Sequence, residues 1–446
     1  MSHTPRRTYP WHLPLIGIVA AIVLTGPMPG TSTAHADDWP QWRGPNRDAK
    51  ATGFTAPKTW PKELTKKWKV TVGKSDATPA LVGDKLYVFA FDGTNEVLHC
   101  LDATTGKEIW QEKYETKGAT PPAAAVHEGP RSSPAVADGK VVTLGVRGVL
   151  SCFDAATGKN LWRKDEFKGY WPQFYTSSSP IIVDGLCIAQ LGGKENGRGN
   201  NKSSIVAYEM ANGNEKWKWD SDATAYASPS LLTVDGTKVI VAETEQNLVA
   251  IGAVDGKPLW KIPYAVGMGG GAPPPKTGGG KGGKGGMGRG YNASTPITDG
   301  QTLIYSGAGR GTKAVKFEKK GDELAAKELW NNTENSVGFN TPIVKNGLVF
   351  GLTGQNSVFC IDKDGKTAWT APIKGRGGYG SIVDAGSVLF VLTPAAELIA
   401  FEPSDKGYKD LATYKVADGD TYGYPVVSGN RIYVKDGDSV TLWTIE

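Results

Sequence analysis

Histidine is scarce in this sequence: there are five among 446 residues, and only His99 and His127 lie beyond residue 36. A histidine-ligated zinc site usually needs more than one such ligand close together, and a Ser-His-Asp arrangement needs a histidine held beside a serine. The two histidines stand in separate repeats, so the sequence favours neither kind of site. His99 lies within a strand pattern and is expected to be packed, whereas the role of His127 in a long connection stays open.

Grouped carboxylates are also missing. The segments Asp362–Gly365 and Asp436–Asp438 resemble the start of a calcium-binding loop. The remaining oxygen ligands of such a loop do not follow either of them. We interpret both segments as turns and predict no metal site.

An excess of charge of one sign is absent as well. The formal net charge is +5, of which Arg6 and Arg7 supply two charges and the glycine-rich stretch 267–290 supplies four. The rest of the chain is therefore close to neutral. This argues against a nucleic-acid-binding surface, which requires a basic stripe on a folded face, and no nucleic-acid partner is expected.

No apolar run is long enough to cross a bilayer, since the longest, Leu13–Leu24, is too short. It follows the basic pair Arg6-Arg7 and precedes Ala34-His35-Ala36, which has the small residues of a cleavage site. We predict that residues 1–36 are a signal peptide and that the protein is exported to the periplasm or beyond. Secretory and twin-arginine export both stay open. No cysteine follows the predicted cleavage site, so a lipid anchor is not expected.

Cysteine is rare too, with four in the chain, and three of them share one position in the repeats: Cys100, Cys152 and Cys360. Other repeats carry Ala207 or Ala250 at that position. A position filled by cysteine or alanine requires a small buried side chain. We therefore predict buried thiols, with a structural disulfide as the alternative.

A short motif organises the chain. Asp102–Trp110 (DATTGKEIW) returns as Asp154–Trp162 (DAATGKNLW), and looser copies end at Trp217, Trp260 and Trp369. Each copy has a strand end, a turn with glycine, a polar step and a tryptophan that begins another strand. Glycine supplies the positive φ that such a turn needs. A unit that returns every few dozen residues indicates a repeat architecture.

Eight apolar segments, most of them opened by Ser-Pro or Thr-Pro, mark the first strand of each repeat, and three more strands follow in each. Proline is tolerated at the start of a strand. Trp68 stands 11 residues before Pro79, the spacing of a fourth strand, while the last repeat ends after its third strand, Ser439–Ile445. We predict that Leu64–Val72 completes the last blade of an all-β, eight-bladed β-propeller, with seven blades as the alternative. The predicted domains are an extended segment over 37–63 and a propeller over 64–446, interrupted by a flexible glycine-rich insertion over 267–290.

The repeats resemble those of the pyrroloquinoline-quinone (PQQ)-like β-propeller family, whose blades share the pattern Ala-x-Asp-x-x-Thr-Gly-x-x-x-Trp. The opening Trp39–Pro45 (WPQWRGP) is similar to that of secreted bacterial PQQ-like repeat proteins. The resemblance implies the fold. Its dehydrogenase members bind PQQ against a pair of adjacent cysteines and hold Ca²⁺ with acidic and asparagine side chains. Here no two cysteines are adjacent, and no aspartate matches the catalytic base.

Binding residues are expected on the face where the blade-to-blade connections and the loops between second and third strands lie, because those segments are long and individual. The alternative is that their polar and aromatic residues only pack the connections. The candidate ligand-binding residues, expected around the mouth of the central channel, are Asp76, Arg131, Trp171, Tyr175, Tyr226, Tyr291, Asn292, Phe339, Asn340, Arg376, Tyr379 and Tyr422. The loops between second and third strands add Arg147, Glu243, Glu245, Arg310, Gln355 and Asn356.

These patterns favour an exported, non-catalytic propeller, expected to be a monomer, that binds a protein or carbohydrate partner through its loop-rich face. Two alternatives stay open. One is a PQQ-dependent alcohol or sugar dehydrogenase with an altered site, which would need PQQ and Ca²⁺. The other is a polysaccharide-binding propeller. No catalytic residue is predicted.

Overall fold

The repeats build eight separate β-sheets in the computed structural model, which describes residues 1–3, 38–116, 127–265, 291–375 and 378–446. Each sheet contains four antiparallel strands in the order in which the motif predicts them, and the third has one strand more. The sheets form a ring, and the protein is an eight-bladed β-propeller. The predicted signal peptide over 1–36, apart from its first three residues, and the glycine-rich insertion over 267–290 lie outside the described residues. No helix in the described part of the chain is long and apolar enough to span a membrane.

The strands of each blade run from the channel outward. Those of blades 1 to 4 are β2(Ala80–Val82), β3(Lys85–Phe91), β4(Asn95–Asp102) and β5(Glu108–Glu115); β6(Ala135–Ala137), β7(Lys140–Leu144), β8(Leu150–Asp154) and β9(Asn160–Lys164); β11(Ile181–Val183), β12(Leu186–Glu195), β13(Asn201–Glu209) and β14(Glu215–Asp220), with the extra strand β10(Tyr170–Trp171); and β15(Ser230–Val234), β16(Thr237–Glu243), β17(Asn247–Gly252) and β18(Pro258–Pro263).

Blades 5 to 8 repeat the pattern. Their strands are β19(Ile297–Asp299), β20(Thr302–Ser306), β21(Thr312–Lys320) and β22(Glu323–Asn332); β23(Ile343–Lys345), β24(Leu348–Leu352), β25(Ser357–Ile361) and β26(Thr367–Pro372); β27(Ser381–Ala385), β28(Val388–Leu392), β29(Glu397–Phe401) and β30(Asp410–Lys415); and β31(Val426–Ser428), β32(Arg431–Lys435), β33(Ser439–Thr444) and β1(Thr65–Thr71).

The ring is closed by the strand nearest the N-terminus. Strand β1 pairs antiparallel with β33, with Thr65 opposite Thr444 and Thr71 opposite Ser439. The eighth blade thus takes three strands from the end of the chain and its outer strand from residues 65–71. This confirms the predicted closure and the count of eight blades.

The tryptophans of the motif lock neighbouring blades together. The Trp162 indole of blade 2 packs on the turn of blade 3, where its N–H donates to the Met210 carbonyl at 3.2 Å. Trp68 of β1 packs on the turn of blade 1 at Gly106 in the same way, so the closing strand repeats the contact. Across the sheet Trp162 faces Cys152, and the tryptophans of the other motif copies likewise face a cysteine or an alanine, whereas Trp68 of the closing strand faces Leu442. The cysteine or alanine opposite the motif tryptophan is fully buried, which favours a small side chain at that position.

All four cysteines are buried and free, as the buried-thiol prediction requires. Burial raises the pKa of Cys100, Cys152 and Cys360 to about 12. A thiolate is therefore disfavoured at each, and thiol chemistry depends on the thiolate. These cysteines are packing residues.

The Ser-Pro and Thr-Pro pairs form a belt of hydrogen bonds around the channel. The residue before each first strand donates its backbone N–H to the side-chain hydroxyl of the equivalent residue in the next blade. The chain of bonds runs from Tyr424 to Thr78, Ser133, Ser179, Ser228, Thr295 and Thr341, at 2.8–3.2 Å. Blade 7 carries Gly380 at this position and has no hydroxyl to offer.

Residues 38–52 lie inside the channel instead of along the outside of the blades. Trp39 pairs with Leu81 of blade 1, and Ala51 donates its N–H to the Asp384 carbonyl of blade 7. The fully buried Arg43 donates to the carbonyls of Thr341 and Pro342 at 3.2 and 2.9 Å. Residues 53–63 then pass over blade 7 on their way to β1, where Phe54 and Trp60 pack on Phe390.

Candidate functional site

A cavity of about 530 Å³ opens where the blade-to-blade connections meet the channel. Two positions of each connection supply most of its lining, one residue and three residues before the Pro or Ser381 that opens the first strand. The nearer position holds the serines and threonines of the hydroxyl belt in six blades, Gly380 in blade 7, and in blade 8 Tyr424, whose backbone N–H donates to Thr78. The farther position forms the rim, and its pocket-lining residues are Asp76, Arg131, Ser177, Tyr226, Ala293, Phe339 and Tyr422.

Aromatic rings dominate the rim. Where the rim position holds the small residues Ser177 and Ala293, a ring from earlier in the same connection, Phe174 or Tyr291, lines the pocket as well. Phe174, Tyr226 and Tyr291 contact each other at centroid distances of 5.0–6.1 Å, and the two contacts of Tyr291 are edge-to-face. Edge-to-face packing fixes ring orientations, so this side of the rim is preorganised.

A second aromatic group lies across blades 6 to 8. Phe339 stacks on Tyr379 with their centroids 4.6 Å apart and their planes 13° apart. Tyr422 meets Tyr379 edge-to-face at 5.6 Å, and His127 meets Tyr422 at 4.6 Å. The stacked pair leaves no space for a third ring between its members.

The charged groups of the rim lie together at blades 1 and 2. His127 Nδ1 and Asp76 Oδ2 are 2.8 Å apart. Arg131 donates to the backbone carbonyls of His127, at 2.7 Å, and Phe174. Burial lowers the pKa of Arg131, and the Asp76 carboxylate opposes this shift. The pocket thus has one polar sector in an otherwise aromatic wall.

The N-terminal segment supplies the floor of the pocket. Trp42 lines the cavity, and the guanidinium carbons of Arg43 and Arg47 lie 5.5 and 5.3 Å from its ring centre. Tyr424 meets the same ring edge-to-face at 5.9 Å. The pocket is therefore closed towards the channel by residues that precede the first blade.

Eight of the twelve predicted ligand-binding residues line this cavity; they are Asp76, Arg131, Tyr226, Tyr291, Phe339, Asn340, Tyr379 and Tyr422. Trp171 and Tyr175 do not, because β10 pairs with the extended end of β12 and draws both rings into a buried cluster with Val146. Arg147 belongs to this cluster as well, 5.1 Å from the Trp171 ring.

Asn292 also lies away from the cavity lining. Its amide donates to the carbonyls of Thr244 and Tyr264 at 2.8 and 3.1 Å and accepts from Arg310 at 2.8 Å, so it holds the connection together. The remaining predicted residue, Arg376, is outside the described residues. None of the six residues predicted from the loops between second and third strands lines the pocket.

The sequence patterns do not single out Trp42, Phe174 or His127 for the pocket, although they leave the role of His127 open. Trp42 lies far from the repeats, and its motif gives no sign that the segment enters the channel. A rule based on spacing would have identified most of the rim. In seven of the eight connections, the residue three positions before the start of the first strand lines the pocket.

The residues at the mouth do not fit PQQ with calcium. None of the four cysteines lines the cavity, and Asp76, the only carboxylate in the part of the lining that the structure describes, is already engaged by His127. Among the described residues no group of three His, Cys, Asp or Glu side chains is placed to hold a metal ion. PQQ is a planar tricarboxylate, and among the lining residues that the structure describes Arg131 is the only arginine or lysine that could face its carboxylates.

Comparison with known proteins gives the family. The profile described as "Outer membrane protein assembly factor BamB", of the PQQ-like repeat type, matches residues 59–218, 94–371 and 354–446. These matches span the whole propeller, and the chain belongs to this family. The predicted relationship to PQQ-like repeat proteins is thereby confirmed.

Two kinds of relative share this family. The chain is 31% identical over 146 residues to the quinohemoprotein alcohol dehydrogenase of Comamonas testosteroni, covering 33% of this chain and 20% of that protein. It is 24% identical over 204 residues to BamB of Burkholderia pseudomallei, covering 44% and 45%. The matched segments thus span between a fifth and about half the length of these relatives.

Solved structures agree on the fold. The dehydrogenase of Comamonas testosteroni superimposes with a TM-score of 0.65 at 14% identity, over 92% of this chain and 81% of that one. BamB of Moraxella catarrhalis superimposes with a TM-score of 0.59 at 16% identity, over 86% and 98%. At such identities the likeness concerns the fold alone.

Proposed function

We propose that this protein is an exported, non-catalytic propeller that binds a ligand or partner through the pocket at its channel mouth. The observation that carries the proposal is the ring of aromatic side chains contributed by successive connections around one cavity. A concave, mostly apolar site with a few grouped polar residues is the usual form of a ligand site. Family membership beside BamB, whose name describes an assembly factor, supports a binding role.

The rim is organised for binding more clearly than for a reaction. The hydroxyl groups of the belt are used to join blades. No cysteine lines the pocket, because all four are buried elsewhere in the protein. Among the described residues of the rim, the Asp76 carboxylate and the His127 ring face each other, and the adjacent Arg131 donates to two backbone carbonyl groups. Rigid aromatic walls with a small polar sector provide contact area and orientation.

The test is a comparison of ligand binding by the wild type and by the double variant Phe339→Ala/Tyr379→Ala. Thermal shift against a panel of saccharides and peptides, followed by calorimetry of the best ligand, is expected to show binding that the double variant lowers at least ten-fold. Ile109→Ala, on the exposed edge of β5, is the control and is expected to bind normally. Equal binding by the double variant would contradict the proposal.

The dehydrogenase relatives are the reason to include a second candidate, an oxidoreductase with an altered site. Adding PQQ and CaCl₂ to the same purified protein tests it. Stoichiometric uptake, seen as a bound-cofactor absorption band and accompanied by dye-linked oxidation of an alcohol or sugar, would replace the binding function by the enzymatic one.

A further inference from the structure

The pocket at the mouth is a cup with one opening, because residues 38–52 cross the channel beneath it. This segment contacts blades on several sides: the Pro40 carbonyl accepts from Val136 of blade 2, and Arg47 donates to the Pro180 carbonyl of blade 3 at 2.8 Å. Arg43 reaches blade 6, and Ala51 reaches blade 7. A ligand therefore enters from the rim and cannot thread through the ring.

The floor of the cup is held rigidly. Arg43 is completely buried and uses its guanidinium group on the Thr341 and Pro342 carbonyls and on the Tyr424 hydroxyl. Within the described residues neither Arg43 nor Arg47 pairs with a carboxylate. Both cations instead lie near the Trp42 ring. Because these interactions are buried and directional, the indole is fixed in place before a ligand arrives.

The charges around the cup disfavour a cationic ligand. Arg43 and Arg47 lie beside the floor and Arg131 lies in the wall, whereas Asp76 is the only carboxylate among the described residues of the lining. An aromatic pocket would otherwise attract an ammonium group through its ring faces. Here the guanidinium groups of Arg43 and Arg47 already lie near the Trp42 ring, and their positive charges would repel an ammonium group placed on it.

The polar groups suit hydroxyls better than a peptide backbone. The backbone N–H groups at the start of six first strands are used by the hydroxyl belt or its closing bond, so an extended peptide finds little to pair with. Within the described residues the phenol groups of Tyr291 and Tyr379 make no hydrogen bond to protein. A phenol both donates and accepts, as do the hydroxyls of a sugar.

We propose that the cup takes a sugar ring at the end of a glycan chain, and that Trp42 is the platform on which that ring lies. The inference rests on the binding function proposed above. A sugar ring offers a face of C–H groups that packs on an aromatic ring and an edge of hydroxyls for Tyr291, Tyr379 and the Asp76–His127 pair. The volume of about 530 Å³ lies in the range of small-ligand sites, and a closed floor admits a chain end but no internal stretch of polymer.

The first test is a glycan array carrying neutral, acidic and amino oligosaccharides with free and with capped chain ends. Binding is expected to free ends and to be lost on capping. The most informative comparison is between amino-sugar oligomers of the same length in N-acetylated and in deacetylated form, since only the deacetylated form is cationic. The deacetylated oligomer is expected to bind at least ten-fold more weakly. Equal binding of both, or binding to capped chains, would overturn the proposal.

The second test places the ligand on Trp42. Trp42→Ala is expected to weaken glycan binding at least ten-fold, while Trp42→Phe should retain most affinity but lose the tryptophan fluorescence change on binding. Trp60→Ala is the matched control, because Trp60 lies in the same N-terminal segment but packs on Phe390 outside the cup. Unchanged affinity of Trp42→Ala would contradict the assignment.

The two proposals can fail separately. If no glycan binds but another ligand binds and is lost in Phe339→Ala/Tyr379→Ala, the sugar assignment is wrong and the binding function stands. If neither glycans nor any other ligand depends on the rim, both proposals are wrong.

Discussion

At the scale of single residues, the turn glycines are determined by the tryptophan of the preceding blade. Gly213 has φ 74°, and a Cβ at this position would lie 2.8 Å from the Trp162 ring. Gly106, Gly158 and Gly256 meet Trp68, Trp110 and Trp217 in the same way. The glycine of the motif therefore provides both a positive φ and room for an indole.

This contact predicts a difference between two glycine variants. Gly236 has φ 78°, but a Cβ added there would have no atom within 4 Å, so Gly236→Ala measures backbone strain alone, about 1–2 kcal/mol. Gly213→Ala adds the collision with Trp162 and is expected to cost about 1–3 kcal/mol more. Urea denaturation of both variants measures the two costs. Equal destabilisation would show that the indole contact does not restrict the glycine.

A buried carboxyl predicts a pH dependence of stability. Glu243 is completely buried, and within the described residues its carboxyl oxygens accept no hydrogen bond. Desolvation raises its pKa to about 8, although Arg310 opposes the shift. In the unfolded chain the Glu243 carboxyl ionises near pH 4.5. Between this pH and about 8 the unfolded state therefore binds fewer protons at this residue than the folded state does. Stability then falls as pH rises through this window.

Glu243→Gln removes this titration. The wild type loses stability as the pH rises from about 5 to about 9, and the variant does not. The free energy of unfolding of the variant, relative to that of the wild type, is therefore expected to rise over this range by an amount on the order of a few kcal/mol. Chemical denaturation at both pH values is the measurement. Glu245→Gln, at an exposed glutamate two residues further on, is the control and should show no such gain. A pH-independent difference for Glu243→Gln would contradict a raised pKa.

At the scale of elements, the starts of the first strands are fixed by the hydroxyl belt. The Ser228 hydroxyl accepts the backbone N–H of Ser179 at 2.9 Å, and both residues are buried. Ser228→Ala leaves this N–H without a partner and is expected to cost about 1–3 kcal/mol. Thr233→Ala, at an exposed position of β15, should change stability by less than about 0.5 kcal/mol. Thermal denaturation compares them, and equal effects would contradict a structural role for the belt.

The sequence predicts the elements well where they repeat and poorly where they depart from the repeat. The Ser-Pro and Thr-Pro pairs, the turn glycines and the tryptophans locate all eight blades because each takes part in a contact that most blades repeat. The predicted positions of Trp171 and Tyr175 are wrong because β12 continues to Glu195 and pairs with β10. The other described blades have no such extra strand. The path of residues 38–52 through the channel likewise depends on contacts with distant blades that no local pattern reports.

At the scale of the whole molecule, closure of the ring makes the pocket possible. The rim, the hydroxyl belt and the floor all require that eight connections meet around one channel. Blade 8 exists only because β1 joins β33, and the belt bond from Tyr424 to Thr78 links this blade to blade 1. The ligand site therefore depends on a pairing between distant parts of the chain. The Thr71 and Ser439 hydroxyls, which contact each other in this pairing, are separated by 368 residues in the sequence.

The most direct test of ring closure is an engineered disulfide between Thr71→Cys and Ser439→Cys. The two hydroxyl oxygens are 3.3 Å apart and the residues are directly opposite in the sheet, a geometry that a disulfide can bridge. The closed ring predicts an intramolecular disulfide in the monomer and a stabilisation of up to about 5 kcal/mol, measured as a reductant-sensitive rise in the unfolding temperature. Failure of the two cysteines to cross-link, or cross-linking only between molecules, would contradict closure of the ring by the N-terminal strand.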